Sequence, residues 1–178
     1  MRSLAALKLN CRLSLTAAVL SLLPLALAQA QARAASEAQL KAQVLVKALR
    51  FVEWPSAALA DGQPLQLCLA EDTPLAQELR ALDGQSVGRN PLQVRVVRNR
   101  QFAGCQVVLA GEALAPLPVQ PATLWVSEAS GMLERGGMFN LQVEDGRVVF
   151  DVGLDAARRA GLDISAKLLR LARFVKKG

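Results

Sequence analysis

The side chains that most often move protons, attack carbonyls or bind transition metals are nearly absent from this chain. It contains no histidine and no tyrosine. Loss of histidine removes the usual general base, the proton shuttle and the commonest transition-metal ligand together. A Ser-His-Asp or Cys-His centre is therefore excluded. A Ser-Lys pair would need a lysine desolvated by burial. Lys41, Lys47, Lys167, Lys176 and Lys177 all fall on helix faces that should meet water. No zinc spacing, Walker loop or dinucleotide fingerprint is present. Two carboxylate pairs remain. Glu71-Asp72 follows an apolar run, at the place where ligands collect in α/β folds. Glu144-Asp145 reads as a turn. Neither pair supplies the six or more oxygens that calcium requires. Gly136-Gly137 suits a turn of positive φ better than an anion nest. The sequence thus predicts no catalytic residue, no metal and no cofactor.

The cysteines carry the last available chemistry. Cys11 precedes an apolar stretch, Leu13 to Leu27, that follows Arg2, Lys8 and Arg12 with no acidic residue among them. Small residues then alternate at Ala26, Ala28, Ala30 and Ala32. This is the pattern of a secretory signal over residues 1–30, with cleavage near Ala28 to Ala32. The run is shorter than the roughly 20 residues of a spanning helix. Cys11 would leave with the signal. Cys68 and Cys105 would remain in an oxidising compartment, where an even count favours a disulfide. The closed loop of about 37 residues would contribute roughly 3–4 kcal/mol. The whole chain has 21 basic and 15 acidic residues. Removal of three basic residues with the signal leaves an ordinary soluble surface rather than a nucleic-acid footprint.

Several elements must position these residues. Ser36-Glu37-Ala38-Gln39 has capping-box spacing. A helix should follow, with Leu40, Val44, Ala48, Phe51 and Val52 facing the core and Pro55 beyond its end. Pro64 to Ala70 and Cys105 to Ala110 are almost continuously apolar, as strands covered on both faces are. Leu75 to Leu82 reads as a helix stopped by Asp83-Gly84. Leu92, Val94 and Val96 alternate with Gln93, Arg95 and Val97 in a strand. Ala122 to Val126 is another short strand. Met138 to Val143 and Arg147 to Val152 flank Asp145-Gly146, a hairpin signal. Ala156 to Ala160 should form a short helix ended by Gly161. Ser165 should cap a last helix running to about Val175. The expected architecture is a single-domain α/β/α sandwich over residues 31–178. Its sheet should be mixed and mainly parallel, with a C-terminal hairpin plus two helices.

A resemblance now becomes visible. Lys47-Ala48-Leu49-Arg50-Phe51-Val52-Glu53-Trp54-Pro55 resembles the first-helix signature of the YfiR-like periplasmic proteins. Leu67-Cys68-Leu69 and Cys105-Gln106-Val107-Val108-Leu109 resemble that family's two cysteine-bearing strands. Gly136-Gly137-Met138-Phe139 and Val143 to Phe150 resemble its glycine segment and hairpin. Ala160-Gly161-Leu162-Asp163-Ile164-Ser165-Ala166-Lys167-Leu168-Leu169-Arg170-Leu171-Ala172 resembles its C-terminal signature. The resemblance implies a non-catalytic periplasmic repressor of an inner-membrane diguanylate cyclase, acting on that enzyme's periplasmic part. Such a repressor controls cyclic-di-GMP and biofilm formation, is sequestered by an outer-membrane lipoprotein and responds to redox state. Cys68 and Cys105 match the family's first cysteine pair. Its second pair has no counterpart, because no cysteine follows Cys105. Gly153 stands where the family usually has Asn.

The partner surface is sought on the last helix. At 100° per residue, Leu168, Leu171, Ala172 and Val175 should face the core. Lys167, Arg170, Phe174 and Lys177 share another arc, so Phe174 should stand among cations on the watered face. An exposed aromatic beside arginine has the composition of an interface hot spot. Trp54 is the second candidate, with a core role as its competing explanation. The expected partners are a cyclase and a lipoprotein, with no nucleic acid; a homodimer stays open. The alternative function is a periplasmic small-ligand sensor whose crevice lies near Glu71 and Asp72.

Overall fold

A computed structural model describes residues 37–178. The expected signal, Cys11 and the Ser36 cap lie outside the described residues. Helix α1 covers residues 37–49. It buries Ala38, Ala42, Leu45 and Leu49, whereas Leu40 is 51% exposed and Val44 only partly buried. Ala48 and Val52 are buried and Phe51 packs on the core as expected, whereas at the start of the helix the buried face is displaced to Ala38, Ala42 and Leu45. Alanines at the first two core positions let α1 lie close to the layer beneath it, and the bulkier Leu40 is left outside.

Eight strands form one sheet, in the order β10-β8-β7-β6-β5-β2-β4-β3. In chain order the elements are β2 Leu65–Leu69, α2 Pro74–Ala81, β3 Ser86–Val87, β4 Asn90–Val96, β5 Val107–Leu109 and β6 Leu124–Ser127. There follow β7 Phe139–Glu144, β8 Arg147–Gly153, α3 Leu154–Arg159, α4 Ala166–Leu169 and β10 Phe174–Lys176. Short strands β1 Val52–Glu53 and β9 Asp163–Ile164 pair antiparallel in a second, two-stranded sheet. Strands β4, β2, β5, β6 and β7 run parallel, and β8 turns back against β7. The expected mixed, mainly parallel α/β sheet is thus present. Strands β5 and β6 are buried at every position, which explains the apolar runs Val107 to Leu109 and Leu124 to Val126.

Local signals account for most boundaries. Thr73 accepts a hydrogen bond from the Ala76 amide and Pro74 occupies the first turn of α2. Asp145 and Gly146 both take positive φ, as a two-residue hairpin turn requires. Phe139 and Phe150 stack at 4.8 Å across that hairpin. The C-terminus differs from expectation. Ser165 does cap α4, but the helix ends at Leu169 and the chain finishes as strand β10, parallel to β8. The competing force is tertiary. The Arg173 amide donates to Phe150 O, and its guanidinium grips the Asp151 carboxylate through two nitrogens. Asp151 is 7% exposed, so pairing here outweighs a weak helical propensity.

Candidate functional site

The structure separates the residues that the helical arc grouped together. Lys167 lies on α4, with its ammonium 5.2 Å from the centre of the Phe51 ring. Arg170 caps the end of that helix. Phe174 lies on the edge strand β10 and is 53% exposed, as expected, although for a different reason. Along a strand, neighbours alternate sides. Phe174 shares its side with Lys176 rather than with Lys177. Leu171, expected in the core, is instead 64% exposed. The surface at this end therefore holds two apolar residues, Leu171 and Phe174, beside the Arg173–Asp151 clamp. Sequence periodicity could not reveal it, because the clamp joins residues far apart in the chain.

Trp54 is partly buried beside the core. Its indole N–H donates to Gln106 O at 3.3 Å. The Gln106 side chain in turn accepts from the Gln66 amide and donates to Ala58 O. Trp54 thus ties the segment after α1 to the starts of β2 and β5. A cleft of about 300 Å³ opens beside it, with Leu49, Leu65 and Val87 among its lining and Arg50 and Arg89 also bordering it.

The carboxyl ends of the parallel strands hold a different arrangement. Strand β2 has β4 on one side and β5 on the other, so the chain leaves β2 and β5 in opposite directions. This is where a ligand crevice is expected. The Glu71 carboxylate lies there, partly buried against Gly111. A Cβ built on Gly111, just after β5, would overlap the Glu71 carboxyl group. Burial pushes the Glu71 pKa up, and Glu128, after β6, pushes it further in the same direction. Asp72 is exposed and pairs with Arg80 at 3.1 Å. Lys41, expected on a watered face, is in fact largely covered. Its ammonium lies 2.7 Å from Glu37 and 2.9 Å from Glu128. Burial alone would lower its pKa, but hydrogen bonds to Glu37 and Glu128 more than compensate and raise it. Lys41 is held as a cation and cannot serve as a base.

The cysteines pair as expected. Cys68 on β2 and Cys105 before β5 form a disulfide with Cα atoms 5.9 Å apart. The Arg95 guanidinium lies 3.2 Å from Cys105 Sγ and donates to Ala103 O. Gly136 takes a positive φ, and a Cβ on Gly137 would come within 2.8 Å of Met132 O. These glycines serve a turn and a close backbone contact. Gly153 is equally constrained, since its Cβ would lie 2.6 Å from Gly137 O. Among the described residues no group of three or more Cys, Asp or Glu side chains is placed to hold a metal. No helix among them is long and apolar enough to cross a membrane.

The chain is similar to known proteins at two levels. A conserved domain protein from Vibrio cholerae O1 biovar El Tor str. N16961, solved by crystallography, is 14% identical to this chain. The match covers 68% of this chain and 57% of that one, with a TM-score of 0.42. The YfiR/HmsC-like family matches residues 38–173. Its proteins are regulatory rather than catalytic and are associated with periplasmic control of diguanylate cyclases. The match spans α1, both cysteines, the hairpin and the Arg173 clamp, and the chain belongs to the YfiR/HmsC-like family.

Proposed function

We propose that this protein is an exported, periplasmic regulatory binding protein that represses an inner-membrane diguanylate cyclase. Membership of the YfiR/HmsC-like family carries the reading. The exposed pair Leu171 and Phe174, on and beside an edge strand held by Arg173, supports a partner surface at β10. Phe174 is its central residue; Lys167, held over the Phe51 ring, and Arg170, at the end of α4, lie on a different element from it. An outer-membrane lipoprotein that sequesters the repressor would complete the circuit. The test is a crosslinking pull-down from envelope with the processed protein as bait. It should recover an inner-membrane protein carrying a diguanylate cyclase domain. A Phe174→Ala bait should lose that protein while keeping its own melting temperature. Unchanged cyclic-di-GMP in a strain lacking this protein would refute repression.

The second reading is a small-ligand sensor. The Glu71 carboxylate packs against Gly111 where a crevice is expected, so the observation favouring a sensor is the cleft beside Trp54. A thermal-shift screen separates the readings, because a tight ligand raises the melting point by mass action. Loss of such a shift in Trp54→Ala would place the ligand there.

A further inference from the structure

The edge of the sheet farthest from β10 is closed along most of its length. Strand β3 pairs with the start of β4 through Ser86–Pro91 and Val87–Asn90. The Leu92 amide then donates to Gln85 O, and Leu92 O accepts from the Gly84 amide. The Val94 amide donates to the Asp83 carboxylate at 2.6 Å. Beyond that point the cover ends. The Val97 amide points to Leu69 O on β2, so the N–H and C=O of Val96 point the other way, to the outside. Neither has a partner among the described residues. The Val96 side chain is also 53% exposed, whereas its neighbour Val97 is buried.

Arginine dominates the surroundings of this open stretch, and the acidic group on the same edge is Asp83, whose carboxylate is engaged by the Val94 amide. From Gly84 to Gly111 the sequence has no aspartate or glutamate, but has Arg89, Arg95, Arg98 and Arg100. Arg89 pairs with Asp61. Arg95, Arg98 and Arg100 form no ion pair among the described residues. Arg95 is nevertheless held in place by Ala103 O and Cys105 Sγ. Arg95, Val96, Val97, Arg98 and Gln101 line an open cleft of about 350 Å³.

We propose that the end of β4 is a docking strip for an extended, acidic segment of another protein, which adds as a short strand at Val96. Unpaired outward N–H and C=O groups are the template for strand addition. Unpaired arginines select the charge of what is added. A second copy of this strip would bring the same arginines together and is disfavoured. The chain's own residues 1–36 have no acidic residue and so cannot complement it. Nucleic acid offers the charge but no backbone to pair with Val96. The strip is distinct from the β10 surface and does not depend on the cyclase reading.

The probe is a synthetic eight-residue peptide of alternating glutamate and valine, titrated into the purified protein at low salt. Three controls go with it: the same peptide with lysine for glutamate, the acidic peptide methylated at alternate backbone nitrogens, and a single-stranded oligonucleotide. The acidic peptide should bind and shift the Val96 amide resonance, and its affinity should fall as salt rises. Backbone methylation or lysine should reduce binding at least about tenfold. Arg98→Glu should do the same. So should Val96→Pro, because proline is tolerated where the strand N–H faces outward. Both variants should keep the wild-type melting profile and the Cys68–Cys105 bridge. Absence of binding would overturn the proposal. Equal binding of the methylated peptide or the oligonucleotide would also overturn it, since charge alone would then explain the contact. Unchanged binding by folded Val96→Pro would overturn it as well.

Discussion

The two edges of the eight-stranded sheet solve the same problem in opposite ways. At one edge, β10 is added late in the chain and held by an ion pair between exposed Arg173 and the buried carboxylate of Asp151. Its exposed residues are apolar: Phe174 on the strand and Leu171 just before it. At the other, β4 is fenced by β3, by residues 84–85 and by Asp83, and only Val96 is left open. There Arg95 and Arg98 flank the open residue, with Asp83 engaged by the Val94 amide. An edge strand with free backbone groups invites pairing, and charge restricts which strands accept the invitation. The two proposals together would give one scaffold two recognition modes, one by apolar contact and one by charge-selected strand addition. Between them, β5 and β6 are buried at every position and supply rigidity.

The contrast between the edges can be broken most severely at the disulfide, which lies near the arginine edge and far in sheet order from β10. Replacing Cys68 and Cys105 together by serine should cost roughly 3–4 kcal/mol in denaturant unfolding, on the chain-entropy estimate for the loop they close. Arg95 would lose its sulfur contact at Cys105. Amide exchange should therefore quicken around residues 95–105 more than in β10. Equal quickening at both edges would show that the edges are not independent.

The converse perturbation is Arg173→Met. It leaves the Asp151 carboxylate buried without its partner, a situation proteins tolerate poorly. Exchange protection of the Phe174, Val175 and Lys176 amides should be lost first, with a smaller fall in melting temperature than for the disulfide variant. Peptide binding at Val96 should persist. Phe174→Ala should have less effect still on stability, within about 0.5 kcal/mol as for exposed positions. Its effect should appear in partner affinity, reduced about tenfold or more if Phe174 is a hot spot. A large loss of stability would return Phe174 to the core.

These contrasts also show how much was legible in the sequence. The inner strands, the hairpin at Asp145-Gly146, helix α2 and the Cys68–Cys105 bridge follow from local apolar runs, turn residues and cysteine count, and each is found. The edges were not legible. Leu168, Leu171, Ala172 and Val175 fit a helical period, yet α4 stops at Leu169 because Arg173 finds Asp151 at a distance of 22 residues along the chain. Val96 keeps the alternation begun at Leu92 but lies where the fold ceases to cover the sheet. In α1, Leu40 and Val44 are as periodic as Ala38 and Ala42, and hydrophobic size pointed to the wrong pair. Lys41 looked solvated because its second carboxylate, Glu128, is supplied by another part of the chain. Local pattern records what a segment can bury. It does not record which partner arrives to cover it, and the edges and the Lys41 cluster are decided by such partners.

The smallest expected effect lies midway between the edges, at Glu71. Burial, aided by the charge on Glu128, raises its pKa above the ordinary 4.5. The folded state therefore holds this proton more tightly than the unfolded state. Its contribution to stability is largest below the unfolded pKa and is lost as pH rises through the raised folded value. Above that, the ionised carboxylate is a net cost, confined against Gly111 and repelled by Glu128. Lys41 lies beside Glu128 and not among the groups that shift Glu71, so it does not reverse the sign. The substitution Glu71→Gln keeps the shape and removes the charge. It should modestly stabilise the protein at neutral pH and flatten the fall in stability from acid toward neutral. Binding at either edge should not change. Chemical denaturation followed across that pH range measures both effects. A Glu71→Gln protein that is less stable at neutral pH, with the same pH slope as the native protein, would mean that the Glu71 carboxylate has a cationic partner in solution. In that case the crevice at the strand ends would again be a candidate for ligand binding, and the two edges would lose their claim to be the recognition surfaces of this fold.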